Sequence, residues 1–83
     1  MLFRSAQFTR EAAELVTETI WHSTQTIERH NDGSVTLSFL VDGLNEVAYW
    51  LLGWSGRFTV VNPPELREIV LGHLRKAVVL NRG

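Results

Sequence analysis

The sequence predicts an α+β fold of the ferredoxin-like type: a βαββαβ split β-α-β sandwich with an additional C-terminal helix. Three observations predict it. Val35, Leu37, Phe39 and Val41 alternate with Ser34, Thr36 and Ser38 just after the turn residues Asn31, Asp32 and Gly33, which marks a hairpin. Strand-like segments flank two helical stretches on either side of that hairpin, giving two β-α-β units. Pro63, Pro64 and Glu65 then open a last helix, because proline is tolerated where no amide donor is needed.

The elements follow in order. Leu2 to Phe8 alternates loosely and carries two phenylalanines, which suits a first strand. Thr9 is placed to cap a helix with Glu11 in its first turn, where the dipole favours an acid. Ala12, Leu15, Val16, Thr19 and Ile20 form its apolar stripe, which carries the helix to Ile20 or Trp21. A short strand from Thr24 to His30 has Ile27 as its core residue. The next strand buries the Val35–Val41 face and leaves serine and threonine on the other, with Leu40 among them. Asp42 and Gly43 end it and lead into a helix from Leu44 to about Trp54. That helix is apolar nearly all round, so it should need a second covering surface. Gly56 closes the unit, and Arg57 to Asn62 is the fourth strand. The last helix should bury Leu66, Ile69, Val70, His73, Leu74 and Ala77, with Arg75, Lys76 and Arg82 towards its negative end.

Composition narrows the function classes. Eighty-three residues make one domain, 1–83, near the lower size limit for a self-sufficient core. The chain has no cysteine, which fits a cytoplasmic setting and removes disulfides and thiolate metal sites. No apolar run approaches the ~20 residues of a membrane span, so no membrane partner is expected. Eight basic and nine acidic residues are interspersed, for a net charge of −1, which is not the footprint of an independent nucleic-acid binder.

Catalysis would need a nucleophile with a base, paired carboxylates or spaced metal ligands. His22, His30 and His73 sit on three different elements and match no zinc spacing; Gly53 to Gly56 follows a helix and is too short for a phosphate loop. We therefore expect no enzyme, no catalytic residues, no metal and no cofactor. Binding is the better expectation, and the polar cluster Trp21–His22–Ser23–Thr24–Gln25 is the first place to look. Trp21, His22, Gln25 and Arg57 could stack on and hydrogen-bond to a ligand in a composite site. The first three have structural alternatives: Trp21 closing the core, His22 solvated or bonded to a cap, Gln25 a polar strand residue. His73 reads as a core histidine, and Tyr49, Trp50 and Trp54 as core or interface packing.

The segments "WHSTQTIE", "DGSVTLSF", "GLNEVAYWLLGW" and "VVNPPELR" occur in an order that covers the chain from about Phe3 to Val79. This ordered set resembles the WCX domain, the C-terminal extension of bacterial WYL-domain, winged helix-turn-helix transcriptional regulators. The resemblance implies a cytoplasmic regulator in which this extension, with a preceding WYL domain, senses an effector and dimerises. Nucleic acid or a nucleotide is among the effectors it implies, and Trp21, His22 and Gln25 among the effector-facing positions. It also implies an excised or truncated chain, since neither the helix-turn-helix nor the WYL core is present. The isolated domain is then not expected to bind operator DNA. The alternative is a structural dimerisation domain with no ligand.

Overall fold

The computed structural model describes residues 2–82; Met1 and Gly83 of the expected 1–83 domain lie outside them. The elements are β1 (Leu2–Phe8), α1 (Arg10–Thr17), β2 (Thr26–Arg29), β3 (Val35–Val41), α2 (Leu44–Leu52), β4 (Phe58–Asn62) and α3 (Pro64–Leu80). The strands form one antiparallel sheet in the order β2-β3-β1-β4. This is the α+β, ferredoxin-like βαββαβ order with the extra helix at its end.

The hairpin is built as its sequence dictates. His30 and Ser34 close the turn, with the His30 amide donating to the Ser34 carbonyl at 3.0 Å. Gly33 has φ +90°, a conformation that side chains avoid, and a Cβ there would also strike the Arg10 side chain. Asp32 Oδ1 accepts from the Ser34 hydroxyl at 2.6 Å and the Ser34 amide at 2.9 Å. The hydroxyl bond first, then the amide bond, hold the Asp32 carboxyl below its ordinary pKa. A lowered folded value contributes stability above the unfolded carboxylate pKa and loses it as pH falls through the folded value. Asp32→Asn should therefore be less stable than the parent at neutral pH, with the gap closing in acid. Urea unfolding at both pH values measures this, and a gap independent of pH would contradict it.

The core lies between one sheet face and the helices. Ala6 and Phe8 of β1, Val35, Leu37 and Phe39 of β3, and Val60 of β4 meet Ala12, Ala13 and Val16 of α1 and Val47, Ala48 and Leu51 of α2. The opposite sheet face is polar and internally bonded: Ser5 and Ser38 hydroxyls lie 2.8 Å apart, and Gln7 Nε2 donates to Ser34 Oγ at 3.0 Å. Phe3 joins that face, about half exposed.

Several sequence expectations are corrected. Helix α1 ends at Thr17, not Ile20 or Trp21: the Val16 carbonyl, which the Ile20 amide would take in a longer helix, is taken by the Trp21 indole instead. Its buried face is Ala12, Ala13 and Val16, whose small side chains let the helix approach the sheet, and Leu15 and Ile20 face solvent. Ile27 is exposed: it aligns with Leu37, but on the outermost strand, past the cover the helices give. Helix α2 stops at Leu52. The Trp54 amide bonds to Leu51 instead of Trp50, a turn and not another helical step. Strand β4 begins at Phe58, one residue after Arg57.

Helix α3 packs on α2 and along the edge strand β4, where Arg67 Nη2 donates to the Val60 carbonyl at 2.8 Å. It supplies the second surface that α2 required. Leu66 and Val70 are buried and Ile69 packs on the core, but Leu74 and Ala77 are exposed and His73 is only half-buried, against the Tyr49 ring. The reason is length. Seventeen helical residues span ~25 Å, whereas the five-residue strand beneath spans ~17 Å, so the last turns run past the core.

Candidate functional site

The segment between α1 and β2 is short, polar and closed on itself. Trp21 Nε1 donates to the Val16 carbonyl at 2.7 Å, satisfying one of the carbonyls that the helix end leaves open. Gln25 braces the turn from below: its Oε1 accepts from the Trp21 amide at 2.7 Å and its Nε2 donates to the Thr19 carbonyl at 3.3 Å. The loop is tied to the sheet through Thr24, whose hydroxyl accepts from the Leu40 amide at 2.8 Å. His22 Nδ1 lies 2.8 Å from that hydroxyl and accepts the Thr24 amide at 3.2 Å. With Nδ1 an acceptor, the neutral ring carries its proton on Nε2, the nitrogen away from the loop.

These constraints hold Trp21 and His22 at the mouth of an open cleft of about 380 Å³, a size typical of small-molecule sites, which span ~300–1,000 Å³. Phe39 and Val41 of β3 form its floor side, Val47 and Trp50 of α2 its far side, and Gly43 and Glu46 the turn of the wall. The rings meet at steep angles. Trp21 and Trp50 have centroids 5.3 Å apart at 57°, and Phe39 and Trp50 5.8 Å apart at 72°. Only His22 and Phe39 stack, at 6.0 Å and 24°. Behind this wall Phe8, Trp50 and Trp54 continue the aromatic cluster into the core.

Glu46 supplies the cleft's one carboxylate among the described residues. It sits at the third position of α2 and folds back over the capping residue Gly43, whose missing side chain makes the room: a Cβ there would overlap the Glu46 carboxylate. The φ of Gly43 is −76°, so the backbone does not require glycine; a larger residue would displace only the free end of the Glu46 side chain. Among the described residues no Lys or Arg lines the cleft.

The structure thus brings Trp21 and His22 together with Trp50 at one cleft. It places Gln25 as the brace beneath them and Arg57 elsewhere, in the turn before β4, where its carbonyl accepts the Thr9 amide at 3.0 Å. Tyr49 is exposed on the other side of α2, against His73, and Trp54 is half-buried in the aromatic cluster. Sequence reasoning missed Phe39, Val41, Glu46 and Val47 as lining. Their periodicity marks them as core or helix-start residues, and nothing local distinguishes a core residue from one whose outer edge lines a cleft. No group of three or more His, Asp or Glu among the described residues could hold a metal ion. Among the described residues no helix is long and apolar enough to cross a membrane.

Residues 5–78 match the model of the WCX domain, so the chain belongs to the WCX domain family. No curated protein matches it.

Proposed function

We propose that this WCX domain is an effector-sensing regulatory module of a WYL-type transcriptional regulator, acting on a DNA-binding domain outside this chain. The observation that carries the reading is the aromatic cleft between the α1–β2 loop and α2. It is a binding site without catalytic machinery: three rings, one histidine bonded inward and one carboxylate. The cleft opens beside the loop that carries Trp21 and His22, so a ligand there would also fix the surface where that loop meets α2. Fixing that surface against a preceding WYL domain favours one inter-domain arrangement, and regulation follows as a population shift. A nucleic-acid effector would have to meet its phosphates on the neighbouring domain, because no Lys or Arg among the described residues lines the cleft.

Amide and indole shifts of this chain, titrated with nucleotides, short single-stranded oligonucleotides and ring-bearing amines, test the reading. Trp21, His22 and Trp50 should move, alone or with a WYL domain in trans. If they stay still under both conditions, the cleft is not an effector site.

A structural dimerisation role is the second reading, favoured by the exposed Leu74, Val78, Val79 and Leu80 on the end of α3. Sedimentation across a concentration series separates the two. A dimer abolished by Val78→Glu with the cleft inert to every titrant would favour dimerisation alone.

A further inference from the structure

The cleft's chemistry points to the class of ligand, and this inference rests on the effector-sensing reading. We propose that the cleft takes a small-molecule organic cation, an alkylammonium group held among Trp21, Phe39 and Trp50 and facing the Glu46 carboxylate. A cation is attracted to the negative face of an aromatic ring, most strongly to tryptophan, and more so where water is displaced. Two of the three rings here are indoles. Their inclinations of 57° and 72° make a corner, not a parallel-sided slot. A flat base prefers parallel surfaces, whereas a rounded ammonium group touches several inclined rings at once.

Charge selects in the same direction. Glu46 lies at the cleft wall over Gly43, and among the described residues His22 is the one basic side chain lining the space, with its Nδ1 turned back onto the Thr24 amide. Arg4 is the nearest buried cation, but Phe39, Val47 and Trp50 stand between it and the cleft. Its Nη2 is held by the Asp42 carbonyl at 3.0 Å. An anion entering the cleft meets a carboxylate and apolar rings, with no Lys or Arg among the described residues to replace its hydration. An ammonium group loses less, since rings and carboxylate both replace water.

Tryptophan fluorescence of the full chain, titrated with choline, reads the site through Trp21 and Trp50. Saturable quenching is expected, with the uncharged isostere 3,3-dimethylbutan-1-ol at least about tenfold weaker. Glu46→Gln should weaken choline by about tenfold and leave the isostere unchanged, while Glu65→Gln, on the first turn of α3, should change neither. Gly43→Ala, which pushes the Glu46 carboxylate from its place, should weaken choline in the same way with the fold intact by circular dichroism. Equal binding of choline and its isostere overturns the cation and leaves the effector reading standing. An unchanged affinity in Glu46→Gln, or no response to choline, also overturns it. Tighter binding of Nα-acetyl-lysine amide than of choline would replace the small molecule by a protein side chain, and so overturns the proposal as stated.

Discussion

Phe8→Ala is expected to lower unfolding stability by ~3–5 kcal/mol, the largest loss from any single truncation in this core. Phe8 is fully buried, at the end of β1 where the sheet meets both helices. Its ring is the hub of the aromatic cluster, edge-on to Trp50 at 5.7 Å and to Trp54 at 5.6 Å, and 6.4 Å from Phe58. Each such edge-to-face pair is worth ~0.5–1.5 kcal/mol beyond the area it buries. A small domain has only ~5–15 kcal/mol in total, so the variant should sit close to its unfolding midpoint at ambient temperature. The consequence reaches the cleft, because Trp50 forms its far wall and leans on Phe8 from behind. Phe3→Ala is the matched control: the same truncation in the same strand, on the open face and about half exposed, should cost less than ~1 kcal/mol. Urea unfolding of both variants measures the difference. A Phe8→Ala loss within ~1 kcal/mol of the control would mean that the aromatic cluster is not the centre of the core.

What the sequence revealed depended on how local each signal was. The hairpin was legible because three neighbouring facts agree: a turn triplet, a period-two strand and a glycine that needs positive φ. The α1 boundary was not, since the Trp21 indole's bond to the Val16 carbonyl depends on how the chain turns after the helix. The far half of α3 was misread for a different reason. Its apolar periodicity continues past Leu71, but the strand under it ends, and a helical stripe cannot show where its partner stops. At the cleft, Trp21 and His22 stood out as an unusual cluster. Phe39 and Glu46 did not, because their roles depend on β3 and α2 converging on a loop some twenty residues earlier in the chain. Gln25 was visible as polar and adjacent, yet its part is to hold Trp21 from beneath.

Replacing Arg4 by methionine should raise stability by about 1–3 kcal/mol, against the usual direction for a buried residue. Arg4 lies on the core side of β1 and is 6% exposed. Of its guanidinium nitrogens, Nη2 reaches the Asp42 carbonyl at 3.0 Å, while Nε and Nη1 are buried with no partner. An unsatisfied buried donor costs ~1–3 kcal/mol, more when charged, whereas the one bond made returns only ~1.5–3 kcal/mol. The adjoining void, about 10 Å³, has room for about one water. Methionine keeps the length and the packing against Phe39 and Leu66 and discards the charge. Alanine at the same position should destabilise instead, because it opens a cavity under Trp50. The arginine's return is in placement: it pins the Asp42 carbonyl one residue before Gly43, where the cleft wall begins. Amide exchange at Gly43 to Glu46 should therefore quicken in Arg4→Met even as the melting temperature rises. A methionine variant less stable than the parent by more than ~1 kcal/mol would refute the bookkeeping. It would mean that the two buried nitrogens are satisfied in solution and that the guanidinium is an integral part of the core.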